Sequence, residues 1–124
     1  MNKVAVFVAS GSGMGADAAK LLSKKGYKIA IMSSSGKGEA LAKKLNGIGY
    51  TGSNLNYIDL KNFFELVIKK WNRVDVLINS AGHGPKGDIL KISDEEWLRG
   101  IETYFLKVVR AVRLVTPIMK KQKK

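Results

Sequence analysis

The chain has 124 residues, and its hydrophobic content of 45% is typical of one globular domain with a modest core. It contains no cysteine and one histidine, so disulfide bridges, thiolate chemistry and a histidine metal cluster are excluded, and we expect no metal site. The formal net charge is +12, but the lysines come as scattered pairs late in expected helices and as a tail, which indicates solvated helix faces and argues against nucleic acid as a partner.

The first apolar run, at residues 4–8, is too short to span a membrane and is followed by no signal-peptide cleavage site. We therefore expect a cytoplasmic protein with no membrane partner. This run and the segments at 28–32 and 74–78 are β-branched and nearly continuously apolar. The pattern predicts strands that are buried on both faces, and a weaker signal at 50–53 predicts one more.

Segments with helical spacing lie between these strands, and the first two are expected to end at Gly26 and Gly47. The third has the clearest pattern, with Asn56 as its cap and Asp59 stabilising its N-terminus. Its apolar face is predicted to comprise Tyr57, Leu60, Phe63, Phe64, Val67, Ile68 and Trp71.

A last long helix is predicted to start at a capping box formed by Ser93 and Glu96. Pro117 is expected to kink or end it. Its apolar residues form one stripe, which comprises Trp97, Ile101, Phe105, Val108, Val109, Val112 and Val115. Strands that alternate with helices of this length imply right-handed crossovers and a parallel α/β sheet with helices on both faces.

A glycine-rich turn follows the first strand and opens the first helix. It comprises Ala9, Ser10, Gly11, Ser12, Gly13, Met14 and Gly15. Glycines let the backbone approach a pyrophosphate closely, and the free N–H groups of the helix start bind its negative charge. The turn therefore predicts a dinucleotide site, and the alternative is a tight connection that binds nothing.

A second short motif follows the strand at 74–78 and comprises Asn79, Ser80, Ala81 and Gly82. It is similar to the Asn-Asn-Ala-Gly of the short-chain dehydrogenase/reductase family, where small residues let the backbone lie close to the cofactor. The glycine turn resembles that family's Thr-Gly-x-x-x-Gly-x-Gly in its last two glycines, but Val8 and Ala9 replace the threonine and the first glycine. We expect Gly11 to supply the lost flexibility, or the turn to be slightly reshaped.

The resemblance runs over essentially the whole chain and implies a Rossmann-type parallel sheet, truncated after the fourth strand and its following helix. Residues 1–124 would then form one NADP(H)-binding domain that is incomplete relative to the family. The implied function is that of the cofactor-binding portion of an oxidoreductase, which in the complete protein transfers a hydride to or from a small carbonyl or alcohol substrate. The resemblance also implies a homo-oligomer formed through the 94–116 helix.

The loop after the second strand bears on the choice of cofactor. NAD-binding folds carry an Asp or Glu about 20 residues past the glycine turn, where it holds the ribose 2′-hydroxyl. Here Ser33, Ser34, Ser35 and Lys37 stand instead, and no carboxylate is available to repel a phosphate. We predict NADP(H), with Ser33, Ser34 and Lys37 as ligands of the 2′-phosphate and Ser35 as a lesser candidate; a serine loop that caps the next helix is the alternative.

The resemblance assigns the adenine contact to Ser53 or Asn54. The family's serine and Tyr-x-x-x-Lys lie beyond the fourth helix, so no catalytic residue is assigned and the 124-residue chain alone is expected to be inactive. Tyr104 stands at the family's helical asparagine, and its alternative role is a core aromatic with its hydroxyl at the surface. If the chain proves active, its acid or base is to be sought among Tyr104, His83 and Lys107. A non-catalytic nucleotide- or polyanion-binding module is the competing function.

Overall fold

Four parallel strands form the centre of the molecule, and the computed structural model describes residues 2–80 and 84–122. The strands are β1 (Val4–Val8), β2 (Lys28–Ser33), β3 (Ile48–Thr51) and β4 (Val76–Asn79). Their order is β3-β2-β1-β4, so the chain builds outward from β1 and then crosses back to its other side. The carboxyl ends of β1 and β4 are therefore a topological switch point, where ligands of open α/β sheets bind.

In the described part of the chain, five α-helices accompany the sheet, and they are α1 (Gly13–Lys24), α2 (Lys37–Lys44), α3 (Tyr57–Trp71), α4 (Asp94–Ile101) and α5 (Lys107–Lys121). On one sheet face, Ala5, Phe7, Ile29 and Ile31 pack against α1 and α2. On the other face, Val4, Val6, Val8, Ala30 and Met32 pack against α3 and α5. The predicted parallel sheet with helices on both faces is confirmed, because successive strand residues alternate between two helical layers.

The clearest sequence predictions for secondary structure are confirmed. Strand β1 has the predicted bounds, and α3 begins after Asn56, whose side chain accepts from the N–H groups of Ile58 and Asp59. The capping box of Ser93 and Glu96 also forms as predicted.

Two strands are displaced from their predicted positions. Strand β3 covers 48–51 and not 50–53, because the chain after Thr51 turns toward α3 and the Ser53 N–H donates to the Asp59 carboxylate at 2.9 Å. Strand β4 starts at Val76 and not at 74. The N–H and C=O of Val74 pair instead with the side-chain amide of Gln122, at 2.6 and 2.8 Å.

The predicted last helix differs most from its expectation. A π-helical segment, Glu102–Leu106, separates α4 from α5, and the helix continues through Pro117 to Lys121. The residues of α5 that are buried are Lys107, Ala111 and Val115. Of the predicted apolar stripe, Val115 is buried, whereas Trp97, Ile101, Phe105 and Val112 are 42–63% exposed. A π turn contains more residues than an α turn, so apolar residues before and after it fall on different faces of the helix. The stripe therefore does not face the core along its whole length.

Tyr57 also lies outside its predicted environment. It was expected on the apolar face of α3, but its side chain is 46% exposed at the first position of the helix, while Leu60, Phe63 and Val67 are buried.

Candidate functional site

The turn after β1 shows how the chain accommodates an alanine where the family motif has glycine. Ala9 itself adopts the left-handed conformation, with φ 60°, and Gly13 does so with φ 63°. Gly11 has no positive φ, so the flexibility expected from it is not used. A left-handed alanine costs about 1–2 kcal/mol, and this strain lies directly at the switch point.

The start of α1 suits an anion. Its cap residue Ser12 makes no side-chain hydrogen bond to the first turn, and that turn contains no acidic residue. Gly15 is buried against Ser10, so the helix start lies close to the end of β1. Met14 is 90% exposed above the turn. The uncapped N–H groups and the positive end of the helix dipole are therefore available to negative charge.

A cavity of about 150 Å³ lies beside this turn, across the carboxyl ends of β1, β2 and β3. It is lined by Ala9, Gly11, Ser12, Met32, Ser33, Ser34, Ser35, Gly52 and Asn54. The cavity brings together three groups of residues that sequence reasoning had assigned to one ligand, and none of its lining residues is a carboxylate.

The serines of the loop after β2 differ in whether their hydroxyl groups already make hydrogen bonds within the protein. Ser33 is 5% exposed, and its hydroxyl donates to the Ser35 carbonyl at 2.5 Å and accepts from the Gly38 N–H at 3.0 Å. The Ser35 hydroxyl accepts from the Lys37 N–H at 3.4 Å. Both serines thus order the start of α2, which was the alternative role. Ser34 and the Lys37 ammonium are exposed and make no hydrogen bond within the described chain.

The loop after β3 separates the two adenine candidates. Ser53 is held by Asp59, whose carboxylate accepts from the Ser53 N–H at 2.9 Å and from the Tyr50 hydroxyl at 3.2 Å. Asn54 lines the cavity, and its buried Nδ2 has no partner within the described chain. An unsatisfied buried donor costs about 1–3 kcal/mol, so Asn54 is the residue that calls for an acceptor in the cavity.

The turn after β4 lies at the same edge of the sheet. Asn79 is level with Val8, and the Ser80 N–H donates to the Val8 carbonyl at 3.0 Å. The predicted residues Ala81 and Gly82, together with His83, lie outside the described residues.

Helix α5 contributes Lys107, which the sequence alone does not single out from Tyr104 and His83 as a possible site residue. Lys107 is 3% exposed, and its Nζ donates to the Ser80 carbonyl at 3.0 Å. Burial lowers the pKa of Lys107. The signal in the sequence is its spacing, four residues before Ala111 and eight before Val115 on the face that packs against the sheet.

Tyr104 lies in the π segment and is 51% exposed. Its ring contacts the backbone at Gly84, where an added Cβ would lie 2.3 Å from the ring. Among the described residues, Lys107 therefore contacts Ser80 directly after β4, and Tyr104 contacts Gly84 further along the chain.

Two negative findings apply to residues 2–80 and 84–122. No group of three or more histidine, cysteine or acidic side chains gathers there as a metal site. Over the same residues, no helix has both the length and the apolar character needed to cross a membrane.

Known proteins resemble this chain over nearly its whole length. The chain is 28% identical over 130 residues to the 3-oxoacyl-(acyl-carrier-protein) reductase FabG of Staphylococcus epidermidis, covering 99% of this chain and 53% of that protein. Among solved structures, it is similar to an actinorhodin polyketide ketoreductase with NADPH, with TM-score 0.86 and 25% identity over 94% of this chain and 47% of that one.

It is also similar to the L-sorbose reductase of Gluconobacter frateurii complexed with NADPH and L-sorbose, with TM-score 0.84 and 25% identity over 96% of this chain and 48% of that one. The chain thus spans about half the length of the relatives it matches. The model of the short chain dehydrogenase family matches residues 3–124. With a parallel sheet, a glycine turn at its switch point and this match over nearly every residue, the chain belongs to the short-chain dehydrogenase family.

Proposed function

We propose that residues 1–124 are the NADP(H)-binding portion of an oxidoreductase that transfers a hydride between NADP(H) and a carbonyl or alcohol substrate. The observation that carries the proposal is the cavity beside the glycine turn, which combines an unpartnered amide at Asn54 with the exposed residue Ser34. Lys37 does not line the cavity, but it is exposed three residues after Ser34, at the start of α2. The absence of a carboxylate among the lining residues supports the phosphorylated cofactor. The NADPH that accompanies two of the similar solved structures supports the same choice.

Each part of the site has one task in this proposal. The N–H groups at the start of α1 bind the pyrophosphate, and Asn54 donates its free Nδ2 proton to the adenine. The Ser34 hydroxyl and the Lys37 ammonium bind the 2′-phosphate. Asn79 and Ser80, at the same edge of the sheet, support the nicotinamide half. When bound, the cofactor supplies or accepts the hydride.

Titration calorimetry with NADPH and NADH tests the cofactor assignment. We expect tighter binding of NADPH, and we expect Ser34→Asp to weaken NADPH selectively because the new carboxylate repels the 2′-phosphate. Asn54→Ala is the matched control, since the adenine is common to both cofactors and both should weaken equally. Equal or tighter binding of NADH by the parent chain contradicts the assignment.

A salt titration separates this function from that of a polyanion-binding module, which the net charge of +12 favours. Binding of a polyanion releases counterions and falls steeply with salt concentration. Binding of NADPH through backbone amides and an adenine contact should fall much less. A steep salt dependence together with no preference for NADPH over other polyanions would favour the binding module.

We further propose that turnover requires a part equivalent to the other half of the relatives. Strand β4 has one neighbour in the described sheet, and all of its residues are partly exposed, whereas every residue of β1 is buried. A reaction at a carbonyl also needs a group that exchanges a proton with its oxygen. The 124-residue chain should therefore oxidise no NADPH against a panel of ketones and aldehydes. Measurable turnover by the 124-residue chain contradicts this proposal, and mutation of Tyr104 then shows whether that residue carries the activity.

A further inference from the structure

Lys107 is a buried lysine on the sheet-facing side of α5. It shares that side with Ala111 and Val115, and it is 3% exposed. Moving an ammonium group out of water is costly unless partners replace the water. Within the described chain its one hydrogen bond is to the Ser80 carbonyl, at 3.0 Å, and no carboxylate lies within ion-pair distance. A buried cation with so few partners costs stability, which calls for a compensating role.

Through Ser80, hydrogen bonds connect Lys107 with the ends of both β4 and β1. Ser80 follows β4, and its N–H donates to the Val8 carbonyl at the end of β1 at 3.0 Å. The residue after Val8 is the strained Ala9. Ser80 is thus held at both of its backbone groups, at the carbonyl by Lys107 and at the N–H by the end of β1. The π segment directly before Lys107 sets the register in which α5 presents this residue to the sheet.

We propose that Lys107 is a positioning residue that holds the Ser80 carbonyl at the carboxyl edge of the sheet, where Asn79 and Ser80 support the nicotinamide half of the cofactor. The inference rests on the proposed function. It assigns Lys107 no contact with the adenine half, because the cavity that contains Asn54 and Ser34 is lined by other residues. The two halves of the cofactor should therefore respond differently to a change at Lys107.

Calorimetry with two ligands tests this difference. Lys107→Met retains the apolar stem but removes the ammonium, and it should weaken NADPH at least about tenfold, as expected for loss of a charged hydrogen bond. Binding of 2′,5′-ADP, which lacks the nicotinamide half, should stay within about twofold of the parent value, a change well under the tenfold step. Lys107→Arg, which keeps a charged donor, should recover most of the NADPH affinity. Lys120→Met, on the same helix but exposed, is the matched control and should change neither ligand.

Amide hydrogen exchange gives a second readout that needs no cofactor. In Lys107→Met the Ser80 amide should exchange faster, while the amides of Val6 and Phe7 in the middle of β1 keep their protection. Equal weakening of NADPH and 2′,5′-ADP, or faster exchange throughout the sheet, would mean a general structural role and overturns the inference. Unchanged NADPH binding in Lys107→Met also overturns it. Failure of the parent chain to bind either ligand defeats the proposed function itself, and the inference with it.

Discussion

Gly15 is the position in the glycine turn where an added methyl group has the clearest predicted cost. A Cβ built on Gly15 would lie 2.5 Å from the Ser10 Oγ, 2.6 Å from its Cβ and 3.1 Å from its Cα. Carbon atoms in ordinary contact are about 3.5–4.0 Å apart, so Gly15→Ala forces α1 and the end of β1 apart by about 1 Å. Overpacking of this kind costs about 1–3 kcal/mol.

The loss should appear in both stability and binding. Thermal unfolding followed by circular dichroism should show a midpoint lower by roughly 4 °C for each kcal/mol in a chain of this size. Because the N–H groups at the start of α1 move with the helix, NADPH affinity should also fall, and we expect about tenfold or more from the displaced anion site. Both measurements are made on the same preparations of the parent and the variant.

A double-mutant cycle identifies the clash as the cause. Ser10→Gly removes two of the three close atoms, so the Gly15→Ala change should cost about 1–2 kcal/mol less in that background. Gly13→Ala is the control: its φ is 63° and a Cβ there meets nothing within 4 Å, so its cost is conformational and Ser10→Gly should not relieve it. A Gly15→Ala variant as stable as the parent, or equal relief of both alanine variants, refutes the reasoning.

Three further predictions concern acid stability, the amino edge of the sheet and self-association. The Arg73 guanidinium holds the pKa of Asp75 below its ordinary value, so the stability that this carboxylate provides is complete above pH about 4 and is lost as the pH falls through its folded pKa. In urea unfolding, the stability of Asp75→Asn should therefore depend less on pH in the acid range than that of the parent, and an unchanged dependence contradicts the assignment. Gln122→Leu removes both hydrogen bonds to the Val74 backbone and should cost about 1–3 kcal/mol by urea unfolding, whereas a variant as stable as the parent would show that water replaces them. Phe105 is 63% exposed in a cluster of exposed apolar residues, so the parent chain should self-associate. In light scattering, Phe105→Glu should shift the protein toward monomer, and a parent that is monomeric at high concentration contradicts the predicted self-association.

The elements that sequence reasoning predicted well are those whose pattern is local. Residues 4–8 are continuously apolar and α3 has apolar residues at helical spacing behind an Asn56 cap, so each pattern identifies its own element and start. Strand β3 was displaced by two residues because its bounds depend on Asp59, which draws the chain at Ser53 toward α3. That hydrogen bond joins residues only six positions apart, but neither strand nor helix periodicity reports it.

The sequence predicts which loops form the candidate site, but not which side chains in those loops are free to bind a ligand. The three loops at the carboxyl edge follow from strand ends, yet Ser33 and Ser34 look alike in sequence and differ completely in the structure. Because β2 is buried on both faces, alternation along it carries no signal for which hydroxyl is free. The π segment was equally hidden, since residues 102–106 contain neither glycine nor proline to mark a change of helix type.

The distribution of unfavourable features across the sheet gives an independent reason to locate function at its carboxyl edge. At the amino edge, polar groups are paired: Gln122 binds both backbone groups of Val74, and Asp75 accepts from Arg73 and the Val4 N–H. The carboxyl edge carries a left-handed Ala9, an unpartnered Asn54 amide and a buried Lys107 ammonium. Each costs on the order of 1–3 kcal/mol, and together they are a large share of a net stability of about 5–15 kcal/mol. The proposed ligand accounts for this asymmetry, because it would supply an acceptor for the unpartnered Asn54 amide and negative charge near the glycine turn, where the strained Ala9 lies.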